Sequence, residues 1–200
     1  MVLARRRARP HNGTMDATTR RLPLVVNLLA YYAGWLACVM GAAWGHWQTG
    51  AAVGIVLTAC HVAAAVRPGI ELRILLAVTA IGYTVDSVQT AAGLLVFATG
   101  QPAPWLAPIW IGVVWMLFST TLRYGFHWLA GRYLQCSVFG LIGGPAAFWA
   151  GERLGAVAFN PVPGLSLAVL AGLWAALFPL LMAIAAALGE GTSGRYRLPR

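Results

Sequence analysis

Few residues in this chain can do chemistry, so each one is informative. There are five carboxylates, four histidines, three cysteines and fourteen arginines, with no lysine. Asp86 is the most unusual, because it interrupts an apolar run from Leu72 to Phe97. Taken at helical spacing, Thr79, Gly82, Tyr83, Asp86, Gln89, Thr90 and Gly93 fall on one stripe, with Leu76, Ile81, Val85 and Val88 opposite. An acid at the centre of a membrane helix costs about 2.5–3.5 kcal/mol, so such a stripe must face other helices or a polar cavity. A protonatable group placed there can anchor a small or lipidic molecule, with Tyr83, Gln89 and Thr90 as supporting polar contacts. The competing reading is structural: a neutral acid, or an acceptor for one buried donor.

A second constellation comprises His61, Glu71, Arg73, Arg123 and His127. Arg123 and His127 are four residues apart and share a helix face. Together with His61 and Glu71, they have the chemistry to hold a phosphate or carboxylate headgroup. The competing reading is that the charged members mark helix ends and extend their heads to water. A third feature is Gly143-Gly144-Pro145, where a missing amide and two flexible residues predict a break or kink. Broken membrane helices can offer freed carbonyls to a ligand. Cys38, Cys60 and Cys136 are widely spaced and match no metal motif. No HExxH, GxSxG or phosphate-binding glycine loop occurs, so no catalytic residue, metal or cofactor is assigned.

The elements that must position these groups are membrane helices. Hydrophobic residues make up 60% of the 200 residues and charged residues 10%, against about 45–50% and about 25% in soluble domains. The expected fold is all-α, a polytopic transmembrane helix bundle. Six apolar segments can be marked: 24–44, 50–66, 72–98, 106–130, 134–150 and 165–188. The expected division is an Arg-rich tail (1–21), a six-helix membrane domain (22–188) and a basic tail (189–200). With six crossings, thirteen arginines fall on one side and only Arg153 on the other. By the positive-inside tendency, both termini are then cytoplasmic. The net charge of +9 sits at the ends of apolar segments, which suits anionic membrane lipids as partners and argues against nucleic acid.

The stretches NLLAYYAGW (27–35), CHVA (60–63), IELRILLA (70–77), IGYTVDSVQTAAGLL (81–95), APIWIGVVWMLF (107–118) and IGGPAAFWAGERLGAV (142–157) carry a resemblance. Over residues 24–188 the chain resembles an uncharacterised family of small bacterial inner-membrane proteins, the domain of unknown function 2878. The resemblance implies a multi-pass protein of the bacterial cytoplasmic membrane. It implies no activity or residue role, and its context points toward lipids, with a lipid-modifying enzyme or another membrane protein as partner. The matching positions include Asn27, His61, Glu71, Asp86, Trp110, Gly144, Pro145 and Gly155.

Three functions follow as expectations. The leading one is a non-enzymatic membrane protein that binds or moves a small or lipidic molecule around Asp86, with His61, Arg123 and His127 at the cytoplasmic mouth. The second is a membrane enzyme acting on a lipid or isoprenoid near the cytoplasmic leaflet, which requires His61, Glu71, Arg123 and His127 to line one pocket. The third is a scaffold or accessory subunit that uses its small-residue seams for helix contacts. The sequence fixes no oligomeric state.

Overall fold

The computed structural model describes residues 17–159 and 163–190. Six α-helices follow in order: α1 (Ala17–Ala43), α2 (Trp47–Ala64), α3 (Pro68–Ala91), α4 (Ile109–Leu122), α5 (Tyr133–Arg153) and α6 (Pro163–Glu190). Two short strands, β1 (Leu95–Phe97) and β2 (Val157–Phe159), pair antiparallel with Val96 opposite Ala158. A single 3-10 turn covers His127–Leu129. The protein is therefore mainly helical, with a small ribbon that an all-α expectation lacks. The tails assigned to 1–21 and 189–200 lie largely outside the described residues.

Four helices are long and apolar enough to cross a bilayer: Leu24–Ala43, Trp47–Ala64, Pro68–Ala91 and Gly164–Gly189. They identify a membrane protein. α5 has a sufficient length of 21 residues but is slightly less apolar. The expected third and fourth spans need correction. Residues 72–98 do not form one long helix: α3 begins at Pro68 and stops at Ala91, and the chain then turns into β1. Residues 106–130 hold a helix of only 14 residues, about 21 Å at 1.5 Å per residue. That is short of a hydrocarbon core of about 30 Å.

α4 can be short because it lies at the centre. It packs against α1, α2, α3 and α6, while α1–α2 and α5–α6 form the two outer hairpins. Ten of its residues are buried, from Trp110 to Leu122. Its apolar side chains interdigitate with Cys38, Val78, Leu177 and Phe178 in one continuous core. The hydroxyls of Ser119, Thr120 and Thr121 donate to the carbonyls of Met116, Leu117 and Phe118 at 2.6, 2.7 and 2.6 Å. These polar atoms are thus satisfied within the helix itself.

The non-helical chain at depth is satisfied as well, as a low-dielectric setting demands. Tyr83 donates its hydroxyl to the carbonyl of Ala107 at 2.7 Å, and the amide of Ala107 donates to Ser87 at 3.1 Å. Trp110 donates its indole N–H to the carbonyl of Thr99, whose own hydroxyl donates to the carbonyl of Ala42. The segment between β1 and α4 is therefore pinned to α3 and to the end of α1. The β1–β2 pairing puts the C-terminal ends of α3 and α5 at this end of the bundle, which we call the ribbon end.

Candidate functional site

Asp86 is 1% exposed, whereas Leu76 and Val88 across the same helix are 61% and 63% exposed. The polar stripe of α3 thus faces inward. Each carboxylate oxygen of Asp86 accepts one neutral donor. The indole Nε1–H of Trp115 reaches Oδ2 at 2.7 Å, and the side-chain amide of Gln89 reaches Oδ1 at 3.1 Å. The hydroxyl of Thr90 donates to the main-chain carbonyl of Asp86 at 2.8 Å, an ordinary helix back-bond.

Two glycines make this arrangement possible. A Cβ at Gly82 would overlap the indole of Trp115, so α3 must be bare there for the ring to lie flat on it. A Cβ at Gly144 would overlap the indole of Trp174 from the other side. Between the two helices the indoles stack, with centroids 5.1 Å apart and planes 12° from parallel. Phe118 meets both rings edge-on, at 5.6 and 5.4 Å. Such contacts add about 0.5–1.5 kcal/mol each beyond burial. This layer holds the donor that orients Asp86.

The same layer explains residues 143–145. α5 runs unbroken from Tyr133 to Arg153 with Pro145 inside it, so the expected helix break is absent. Gly144 is there for close approach to Trp174. The proline ring costs one backbone bond, and the packing of α5 on α6 holds the helix through it.

Asp86 forms part of the wall of a narrow cleft of about 60 Å³. α1 contributes Tyr31 and Trp35, α4 contributes Trp110 and Trp115, and Phe148 and Trp174 come from α5 and α6. α1 and α5 line the cleft from different sides yet hardly touch each other. Of the described residues on the wall, only Asp86 is an acid or a base of the Asp, Glu, Arg or His type, and eight are aromatic. Tyr83, Gln89 and Thr90 do not reach this wall: Tyr83 holds the Ala107 carbonyl, Gln89 braces the acid, and Thr90 bonds its own helix.

The second constellation gathers at the opposite end. Glu71, 4% exposed, accepts from Arg123 at 2.5 Å and lies 3.8 Å from Nε2 of His61. Asn27 sits 3.5 Å from Nδ1 of His61 and donates to the carbonyl of Thr120 at 3.1 Å. The ring of Tyr124 meets His61 edge-on at 4.8 Å. Residues from α1 to α4 are thereby tied together at one point. His127 is not part of this group. It is exposed, its Nδ1 lies 2.8 Å from the carbonyl of Tyr124, and with Arg67 and Arg123 it borders a separate open hollow. Arg73 is exposed as well. Three phenylalanines, Phe118, Phe126 and Phe178, pack on one another between this end and the cleft.

The family model described as "Protein of unknown function (DUF2878)" matches residues 24–180. The chain belongs to this family. No curated protein and no solved structure matches it. The match covers α2 to α5 whole and most of α1 and α6, and so takes in both constellations of this family member.

Sequence reasoning underrated the aromatics. Trp35, Trp115 and Trp174 pack between helices, and they also form the wall around Asp86. The available signal was their depth: tryptophan prefers the membrane interface, so an indole mid-span needs a buried acceptor or a stacking partner. Among the described residues no group of three His, Cys, Asp or Glu side chains comes together as a metal site.

Proposed function

We propose that this protein is a multi-pass protein of the bacterial cytoplasmic membrane that binds a small or lipidic molecule in the aromatic cleft, with Asp86 as its polar anchor. The observation that carries this reading is the coincidence of three features. The buried acid lies on the wall of a cavity, that cavity is walled by aromatic side chains, and it is lined by α1 and α5, two helices that pack little on each other. An apolar molecule entering from the acyl chains would need no aqueous route. Most ligand pockets share this make-up, an apolar wall with a few placed polar groups.

The crossing count in this proposal is six. α5 supplies one further crossing, and the central α4 completes another together with the pinned segments on either side of it. Non-helical chain at membrane depth is tolerated where protein surrounds it. Both termini then lie on the cytoplasmic side, with the arginines of the Glu71 end. Binding followed by movement toward that end would have to displace the Phe118, Phe126 and Phe178 cluster. The enzyme reading is the weaker one, because His127 shares a hollow with Arg123 but not with His61 or Glu71.

The test is extraction from native membranes, followed by mass spectrometry of what stays bound. Ala147 lines the cleft without touching the polar groups given above, so Ala147→Phe fills the space while sparing Asp86. A small apolar compound should copurify with the native chain and be lost from the variant. Identical bound material in both, or none in either, contradicts the proposal.

A further inference from the structure

We infer that the ligand of this cleft is a cation, a quaternary ammonium head on an apolar body. The inference rests on the cleft being the binding site and adds the charge of what it binds.

The argument begins with what Asp86 lacks. Its two donors, Trp115 and Gln89, are neutral. They orient the carboxyl group and supply no countercharge. Among the described residues no arginine or histidine borders the cleft. The cations at the far end are engaged elsewhere: Arg123 pairs with Glu71, and His61 stands beside the same acid. A buried carboxylate without a countercharge is costly, and a ligand bearing the opposite charge removes that cost.

The wall then selects the kind of cation. Eight aromatic rings, among them Tyr31, Trp35, Phe97, Trp110 and Phe148, surround the space that Asp86 faces. Ring faces attract cations, and enclosure by several rings is how quaternary ammonium groups are recognised. A primary ammonium would bring three N–H donors, each needing an acceptor. The wall offers little beyond Asp86 and the Tyr31 hydroxyl to receive them. A methylated nitrogen makes no such demand. An anionic or zwitterionic head would place a phosphate or sulfate beside Asp86 with no arginine to meet it.

The arrangement also keeps the acid facing the cleft. Trp115 is held by the Trp174 stack and by the bare backbone at Gly82, so the indole cannot turn away from Oδ2. Gln89, 3% exposed, fixes the other oxygen and keeps its own carbonyl oxygen without a partner. Asp86 is thus a fixed acceptor, able to carry one negative charge, on a mainly aromatic wall.

The experiment titrates the full-length protein in maltoside micelles with three amphiphiles of equal chain length, following tryptophan fluorescence. They are decyltrimethylammonium, its uncharged carbon isostere 2,2-dimethyldodecane, and decylphosphocholine. The native protein should bind the cation about tenfold or more tighter than the isostere, a margin in keeping with a desolvated cation among aromatic rings and beside a carboxylate. Asp86→Asn should abolish that preference while leaving affinity for the isostere unchanged, and Asp86→Glu should retain it in part. The conservative variant guards against loss of fold, since a misfolded protein would lose the isostere too. Equal binding of cation and isostere, both lost in Ala147→Phe, would overturn the cation and leave the cleft reading standing. Phosphocholine binding as tightly as the cation would likewise overturn it. No binding of any of the three would remove both.

Discussion

Among the described residues two acids are buried, one toward each end of the bundle, and they are balanced in opposite ways. Glu71 has a guanidinium at 2.5 Å and an imidazole nearby, so its charge is met inside the protein. Asp86 is more deeply buried and is met only by an indole and an amide. Glu71 ties helices together at a point where charged groups reach water. Asp86 looks into an apolar cleft. The same functional group thus serves as a strut in one place and remains available in the other, and the difference lies in the partners.

This contrast predicts a graded set of substitutions, read as stability to denaturation in mixed micelles. Arg123→Ala should have the largest effect, because it strands Glu71 in a buried position. Breaking a buried pair costs about 3–5 kcal/mol. With the Arg123 side chain 33% exposed, solvent screening places the expected loss at or below the low end, about 2–3 kcal/mol. Replacing both partners, Arg123→Met with Glu71→Gln, should cost clearly less than Arg123→Ala alone, since no charge is then left unpaired. If the double variant is as unstable as the single one, the strut account of Glu71 is wrong.

Gly82→Ala should come next. The added methyl must push the Trp115 indole off α3, and overpacking of this kind costs about 1–3 kcal/mol. It should also loosen the bond to Asp86 and shift the tryptophan emission. Gly143→Ala is the control, because a Cβ there meets nothing within 4 Å. Equal effects at the two positions would mean that the indole is not seated as described.

The smallest effect on stability is expected for Asp86→Asn. The amide oxygen can still accept from Trp115, no ion pair among the described residues is lost, and a buried ionisable group is removed, so the variant should be no more than about 1 kcal/mol less stable. A loss as large as that of Arg123→Ala would show that Asp86 is a structural partner after all, and the contrast between the two acids would vanish.

How much of this was legible beforehand depends on how local the information is. The inward orientation of Asp86 follows from helical period alone, since the polar residues of 79–90 recur on one side and Leu76 and Val88 fall on the other. Grouping Glu71 with Arg123 and His61 was also within reach, because charges concentrate at helix ends. The partner of Asp86 was not. Trp115 lies 29 residues away, and its approach depends on a missing Cβ at Gly82, which one sequence presents only as another small residue. The ribbon was invisible for a related reason. LVF (95–97) and VAF (157–159) are apolar triplets next to apolar helices, and only their meeting at one end of the bundle makes them strands. Of the break or kink expected at Pro145, the break does not occur, because close packing between α5 and α6 carries the helix through the proline.

The most direct test of the central claim is an experimental structure with a bromine-tagged quaternary ammonium amphiphile, located by its anomalous signal. The account places the head beside Asp86 within the aromatic wall and the tagged tail leaving between α1 and α5. Bromine found only along the outer apolar surfaces, for example near Leu29 or Ile142, with the cleft empty, would contradict it.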